Sequence, residues 1–163
     1  MHYLDLWKVD DGGFLLLSPE VIKVFEKYAQ VDSTMPESGG ILLGYVRGQH
    51  LEIIEATEPT SADKRRMFFF LRRPQGHQEM ARRRWDESQG LIRYLGEWHT
   101  HPENVPLPSC LDRREWRNSA SKRADGRSQV GLIVGREDLH IELTYHNGKY
   151  TVCRKQFESE HVR

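Results

Sequence analysis

The chain reads as a mixed α/β (α+β) fold. Apolar runs of strand length are interspersed with segments whose apolar residues recur at helical spacing, which points to strands and helices packed as layers. No internal repeat or low-complexity stretch interrupts that alternation. At 163 residues the chain has the size of one domain, since single cores usually take ~100–200 residues.

Each element has its own warrant. The run 14–17 predicts a strand. Ser18-Pro19 then opens a helix to about Tyr28, with serine at the cap and proline in the first turn. Its apolar positions Val21, Val24, Phe25 and Tyr28 make one stripe. Residues 31–38 form a polar loop containing Pro36, and 39–46 and 51–57 are two strands joined by the hairpin turn Arg47-Gly48-Gln49-His50. The run 67–71 is most simply a strand buried on both faces. Its alternative is an exposed edge that clamps an extended substrate tail.

Residues 75–88 suggest a helix with a thin stripe of Met80, Ala81 and Trp85, punctuated by Gly90. Residues 91–101 then read as a strand that Pro102 ends. A loop with Pro102, Pro106 and Pro108 leads to a helix from Ser109 to about Ser121, carrying Leu111 and Trp116. Three closing strands are expected at 129–134, 140–145 and 150–154, the last two joined at His146-Asn147-Gly148.

Composition narrows the function classes. Lysine plus arginine (24) equals aspartate plus glutamate (24), so no global basic field invites nucleic acid. No apolar run approaches the ~18 residues of a membrane span, and the first nine residues lack the apolar stretch of a signal peptide. Two distant cysteines, Cys110 and Cys153, rule out a disulfide framework. A soluble cytoplasmic protein is expected. The basic runs at 64–66, 72–73 and 82–84 read as solvated faces, with a patch for an acidic partner as the alternative.

Chemistry concentrates in Gly-Glu-Trp-His-Thr-His-Pro at 96–102, followed six residues later by Ser109-Cys110-Leu111-Asp112. Side chains two apart on a strand share a face, so His99 and His101 can reach one ion. Asp112 returns on the first turn of the next helix. Two imidazoles and one carboxylate leave a fourth position open, which is the arrangement of catalytic rather than structural zinc. Amide hydrolysis also needs a proton shuttle. Glu37, directly before Ser38-Gly39-Gly40, is the candidate, although the residues alone leave Glu52, Glu55 and Glu97 open. Cys110 is read as packing, and His2, His50, His77, His140, His146 and His161 as ordinary surface or hairpin residues, since none has ligand spacing. Ser109-x-x-Asp112 is also a capping box, and the two roles can coexist.

Glu37, then His99-x-His101-Pro102, six residues, and Ser109-x-x-Asp112 resembles the JAMM motif of the MPN/JAB-domain metalloproteases. Glu37-Ser38-Gly39-Gly40 followed by Leu43-Gly44 resembles the family's glutamate segment. The wording around the histidines is most similar to bacterial JAB isopeptidases, including the deconjugating peptidases of CBASS antiphage systems. The resemblance implies a single JAB/MPN domain over 1–163, with its core at about 10–155 and a cytidine-deaminase-like curved mixed sheet flanked by helices. It implies one Zn2+ held by His99, His101 and Asp112, Glu37 activating water, and Ser109 donating to the oxyanion. The implied substrate is an extended C-terminal tail of a cGAS/DncV-like nucleotidyltransferase, conjugated by an operon-encoded ubiquitin-transfer-like enzyme. Processing of another ubiquitin-like or sulfur-carrier protein is the alternative substrate, and a non-catalytic MPN-type scaffold the alternative class. A non-haem iron oxygenase would share the two-histidine, one-carboxylate set. The chain is too short for the insertions with which eukaryotic relatives grip two ubiquitins.

Overall fold

A computed structural model describes residues 3–10 and 12–156. In chain order the elements are β1 (Leu6–Lys8), β2 (Phe14–Leu17), α1 (Pro19–Tyr28), β3 (Gly39–Arg47), β4 (His50–Ala56), β5 (Lys64–Arg66) and β6 (Phe69–Leu71). They continue with α2 (His77–Glu87), β7 (Arg93–Thr100), α3 (Cys110–Lys122), β8 (Gln129–Val134), β9 (Leu139–Thr144), β10 (Tyr150–Val152) and β11 (Arg154–Lys155). The nine-stranded mixed sheet runs β10-β9-β8-β7-β3-β4-β2-β1-β11, and β5 and β6 form a separate two-stranded hairpin. Its two edge strands, β10 and β11, are consecutive in the chain, so the sheet curves until its edges nearly meet. That is more closed than a flat layer, and it follows the curved sheet that the family resemblance implies.

Local chemistry explains the helices. Ser18 caps α1 by accepting from the Val21 amide at 3.4 Å, and Pro19 supplies a preset φ at the first position. Val21, Ile22 and Phe25 enter the core, where Phe25 meets Trp98 with ring centroids 5.3 Å apart. Ser109 and Asp112 form a reciprocal capping box on α3: Ser109 Oγ accepts from the Asp112 amide at 3.1 Å and Asp112 Oδ2 from the Ser109 amide at 2.8 Å. The β3–β4 turn closes with Gly48 at φ +63°, and Arg47 pairs His50 across it.

Four expectations need correction. The run 67–71 is not a strand buried on both faces. Phe68 is 74% exposed and Phe69 47%, and among the described residues β6 pairs only with β5. The flanking Lys64-Arg65-Arg66 and Arg72-Arg73 keep their charges in or near water, so this run cannot sink into the core. Leu111 and Trp85, expected on apolar stripes, are half exposed, whereas Trp116 is buried. Cys110, expected to pack, is exposed. His77, expected at the surface, is fully buried. The expectations for His2 and His161 lie outside the described residues.

Candidate metal centre

β7 divides two environments by parity. Trp98 and Thr100 share one face: the Trp98 ring meets Phe25 of α1 and its Nε1 donates to the Thr57 carbonyl at 3.0 Å, and Thr100 Oγ1 donates to Gln30 Oε1, just past α1, at 2.8 Å. His99 faces the other side, with its ring 6.3 Å from Trp116 of α3. His101 shares that face just past the strand end, where its amide continues the ladder to the Val134 carbonyl at 3.0 Å.

The first turn of α3 brings Asp112 to the pair. His99 Nε2 and His101 Nε2 are 3.1 Å apart, and Asp112 Oδ1 and Oδ2 lie 3.2 and 3.3 Å from them respectively. Zinc–nitrogen bonds of ~2.0–2.1 Å give a tetrahedron edge of roughly 3.3 Å, close to the spacing of the two nitrogens and to that of each nitrogen from its nearer Asp112 oxygen. Among the described residues, His99, His101 and Asp112 are the cluster able to hold a metal, with all donor atoms within 4.8 Å of one another. His101 Nδ1 is hydrogen bonded to Glu103 Oε1 at 2.8 Å, which leaves Nε2 turned toward His99 and Asp112 and able to bind a metal.

The β3–β7 ladder supplies the second acid. Gly39 pairs His99, and Ser38 and Thr100 exchange Ser38 N–H to Thr100 Oγ1 at 2.9 Å and Thr100 N–H to the Ser38 carbonyl at 2.8 Å. One step further the same register sets Glu37 across from His101. Gly39 is glycine for a spatial reason: a Cβ there would lie 2.6 Å from both the Phe70 ring and the Trp98 carbonyl. The hairpin fixes the Glu37 main chain from outside, because the Glu37 amide donates to the Arg66 carbonyl at 2.7 Å and Arg65 Nε to the Glu37 carbonyl at 3.1 Å.

Electrostatics separates Glu37 from the other three glutamates. Glu52, Glu55 and Glu97 are each paired with an arginine: Arg47, Arg84 and Arg72. Glu37 is buried, and loss of hydration pushes its carboxyl up to about 7, against the opposing pull of His99 and His101. Burial also works to raise the Asp112 carboxyl, but hydrogen bonds from His101 and His99 prevail and hold it far below the usual carboxylate range. Burial would lower His101, yet its contacts with Asp112 and Glu103 raise it.

Residues 25–151 match the family described as prokaryotic homologs of the JAB domain. The chain belongs to that family. A CD-NTase/cGAS isopeptidase of Pseudomonas aeruginosa is 46% identical over 153 residues, covering 93% of this chain and 97% of that protein. Proteins of the same description from Vibrio cholerae and Escherichia coli are 38% and 37% identical, over 83% and 86% of this chain and 85% and 89% of their own lengths. The solution structure of protein DSY2949 from Desulfitobacterium hafniense matches with a TM-score of 0.59 at 19% identity, covering 85% of this chain and 88% of that one, a likeness of fold alone.

All five positions named from the sequence thus lie in one neighbourhood of this JAB domain: His99, His101 and Asp112 in contact, Ser109 on Asp112, and Glu37 across the ladder. Sequence reading missed Glu103, Arg65, Arg66 and Trp116 as their supports. Only Glu103 carried a local signal, its place two residues after His101. The basic run 64–66 was legible as charge but not as the brace of Glu37. Among the described residues no helix is long and apolar enough to cross a membrane.

Proposed function

We propose that this protein is a zinc-dependent isopeptidase of the JAMM type that releases a nucleotidyltransferase of the cGAS/DncV class from its conjugates in the cytoplasm. The observation that carries the reading is the buried, unpaired-by-arginine Glu37 set across β3–β7 from a three-donor cluster with tetrahedral spacing. The names of the three relatives support the substrate class.

His99, His101 and Asp112 would hold the ion. Zinc, when bound, supplies Lewis acidity toward water and the scissile carbonyl. Glu37 takes a proton from the attacking water as the carbon–oxygen bond forms. It then gives that proton to the departing amine as the carbon–nitrogen bond breaks. A carboxyl near neutrality in its affinity for protons suits both steps. Ser109 Oγ already accepts the Asp112 amide, which leaves its own hydrogen to donate to the oxyanion.

Exposed apolar side chains flank this centre. Met67, Phe68, Phe69 and Leu71 stand on the hairpin that braces Glu37, and Val105, Leu107 and Leu111 on the loop after β7 and the first turn of α3. An extended tail lying between them reaches the centre with its terminal carbonyl, and small residues pass the narrow point most readily. Cys110 has no assigned part in this chemistry, and Cys110→Ser should stay active.

The test is cleavage of a reporter fused through a peptide bond to the C-terminal tail of the cognate nucleotidyltransferase. Wild type, Glu37→Ala and chelated protein given back zinc are compared. Cleavage at the junction that needs both Glu37 and zinc is the expected result. Zinc binding without cleavage of this tail, or of any ubiquitin-like or sulfur-carrier tail, would overturn the enzyme reading in favour of a binding scaffold.

A further inference from the structure

Away from the metal, a second polar group is buried in the fold. His77, the first residue of α2, is fully buried, and so is the side chain of Asp63. Thr57 Oγ1 lies 2.6 Å from His77 Nδ1, and His77 Nε2 lies 2.8 Å from Asp63 Oδ2. Thr57 Oγ1 also accepts from the Ile41 amide at 2.9 Å. The directions follow. The Nε2 hydrogen goes to the Asp63 carboxylate, which can only accept, and in the neutral ring Nδ1 then accepts from the Thr57 hydroxyl.

This Thr-His-Asp series is ordered like a nucleophile relay, but its hydroxyl is nearly buried against Gly40 and already engaged. Its contacts lead elsewhere. Asp63 Oδ2 accepts from the Thr60 amide and Oδ1 from the Arg73 amide, both at 2.7 Å. Thr60 precedes β5 and Arg73 follows β6, so one carboxylate gathers both feet of the hairpin. Thr57 anchors it to the sheet, its amide bonded to the Ile41 carbonyl and its carbonyl to Trp98 Nε1, each at 3.0 Å. The hairpin so fixed holds the Glu37 main chain through Arg66 and Arg65.

We propose that His77 is a positioning residue: through Asp63 it fixes both feet of the β5–β6 hairpin, and through the hairpin it fixes Glu37. This rests on the isopeptidase reading for its consequence in turnover, but not for the brace itself. Neither His77 nor Asp63 contributes to the metal cluster.

The experiment uses the full chain carrying His77→Leu, His77→Gln or Asp63→Asn. Asp63→Asn preserves side-chain volume and serves if His77→Leu does not fold. Amide hydrogen exchange is followed at Thr60, Arg73 and Glu37, with Val130 and Ile141 in β8 and β9 as references. Losing a charge-assisted bond should speed exchange at the three hairpin-linked amides by ~10–100-fold and leave the references unchanged. Zinc affinity, measured by chelator competition, should be unaffected. kcat should fall by ~10–100-fold, as misplacing a catalytic group does. His77→Gln, which keeps an N–H for Asp63, should recover part of both effects. Unchanged exchange at the hairpin feet, or equal acceleration in β8 and β9, would overturn the proposal. If wild type cleaves no tail, the isopeptidase reading fails while exchange still decides the brace.

Discussion

Gly39 is the cross-strand partner of His99, and that single pairing sets Glu37 opposite His101 two residues further along the ladder. The same glycine admits the Phe70 ring beside the metal cluster. Register therefore ties together the acid, the imidazoles and the hairpin wall.

Glu37→Gln should retain zinc and lose cleavage. It should also change how stability depends on pH. In the metal-free protein the folded-state pKa of Glu37 is about 7, above its ordinary value of 4.5. Its contribution is fully present below pH ~4.5 and is lost as pH rises through ~7. Metal-free Glu37→Gln should match wild type near pH 4 and exceed it by ~1–3 kcal/mol at pH 8. Urea titrations across that window measure the difference, and parallel curves would refute it.

Asp112 both caps α3 and completes the donor cluster. Asp112→Ala should lose zinc and also cost the metal-free protein ~0.5–2 kcal/mol, the usual worth of such caps. His99→Ala should lose zinc without the capping cost. Zinc titration together with thermal melts of the metal-free variants separates the two.

Ser109→Ala should slow turnover by ~10²–10³-fold if the hydroxyl serves the oxyanion. It should also lower stability by about 1 kcal/mol through the lost cap. A stability loss with unchanged kcat would leave Ser109 as a cap only.

Gly131 on β8 gives Trp116 its place, since a Cβ there would collide with the indole. Trp116 in turn lies against His99. Gly131→Ala should destabilise by ~1–3 kcal/mol through overpacking and weaken zinc binding. Chelator competition with full retention of affinity would show that the indole does not set His99.

Phe68 is 74% exposed on the hairpin. Phe68→Ser should change stability by less than ~0.5 kcal/mol and raise KM for a tail substrate by about tenfold if the ring is covered on binding. An unchanged KM would remove this ring from the groove.

The sequence by itself determined what local chemistry can express. Alternating parity on β7 puts His99 and His101 on one face, Ser109-x-x-Asp112 caps a helix, and Ser18-Pro19 opens another; the structure follows each. Such features depend on residues within one turn or two strand positions, so spacing reveals them. What sets Glu37 apart from Glu52, Glu55 and Glu97 was not legible there, because it depends on which arginines the fold brings to the other three. Only the tertiary structure decided that the run 67–71 stays exposed, that His77 is buried on Thr57 and Asp63, and that Arg65 and Arg66 brace Glu37. An apolar run has the same local pattern whether a neighbour covers it or water does, and a histidine's burial is set by partners 14 and 20 residues away in the chain. Those contacts join separate elements, and no periodicity within an element encodes them.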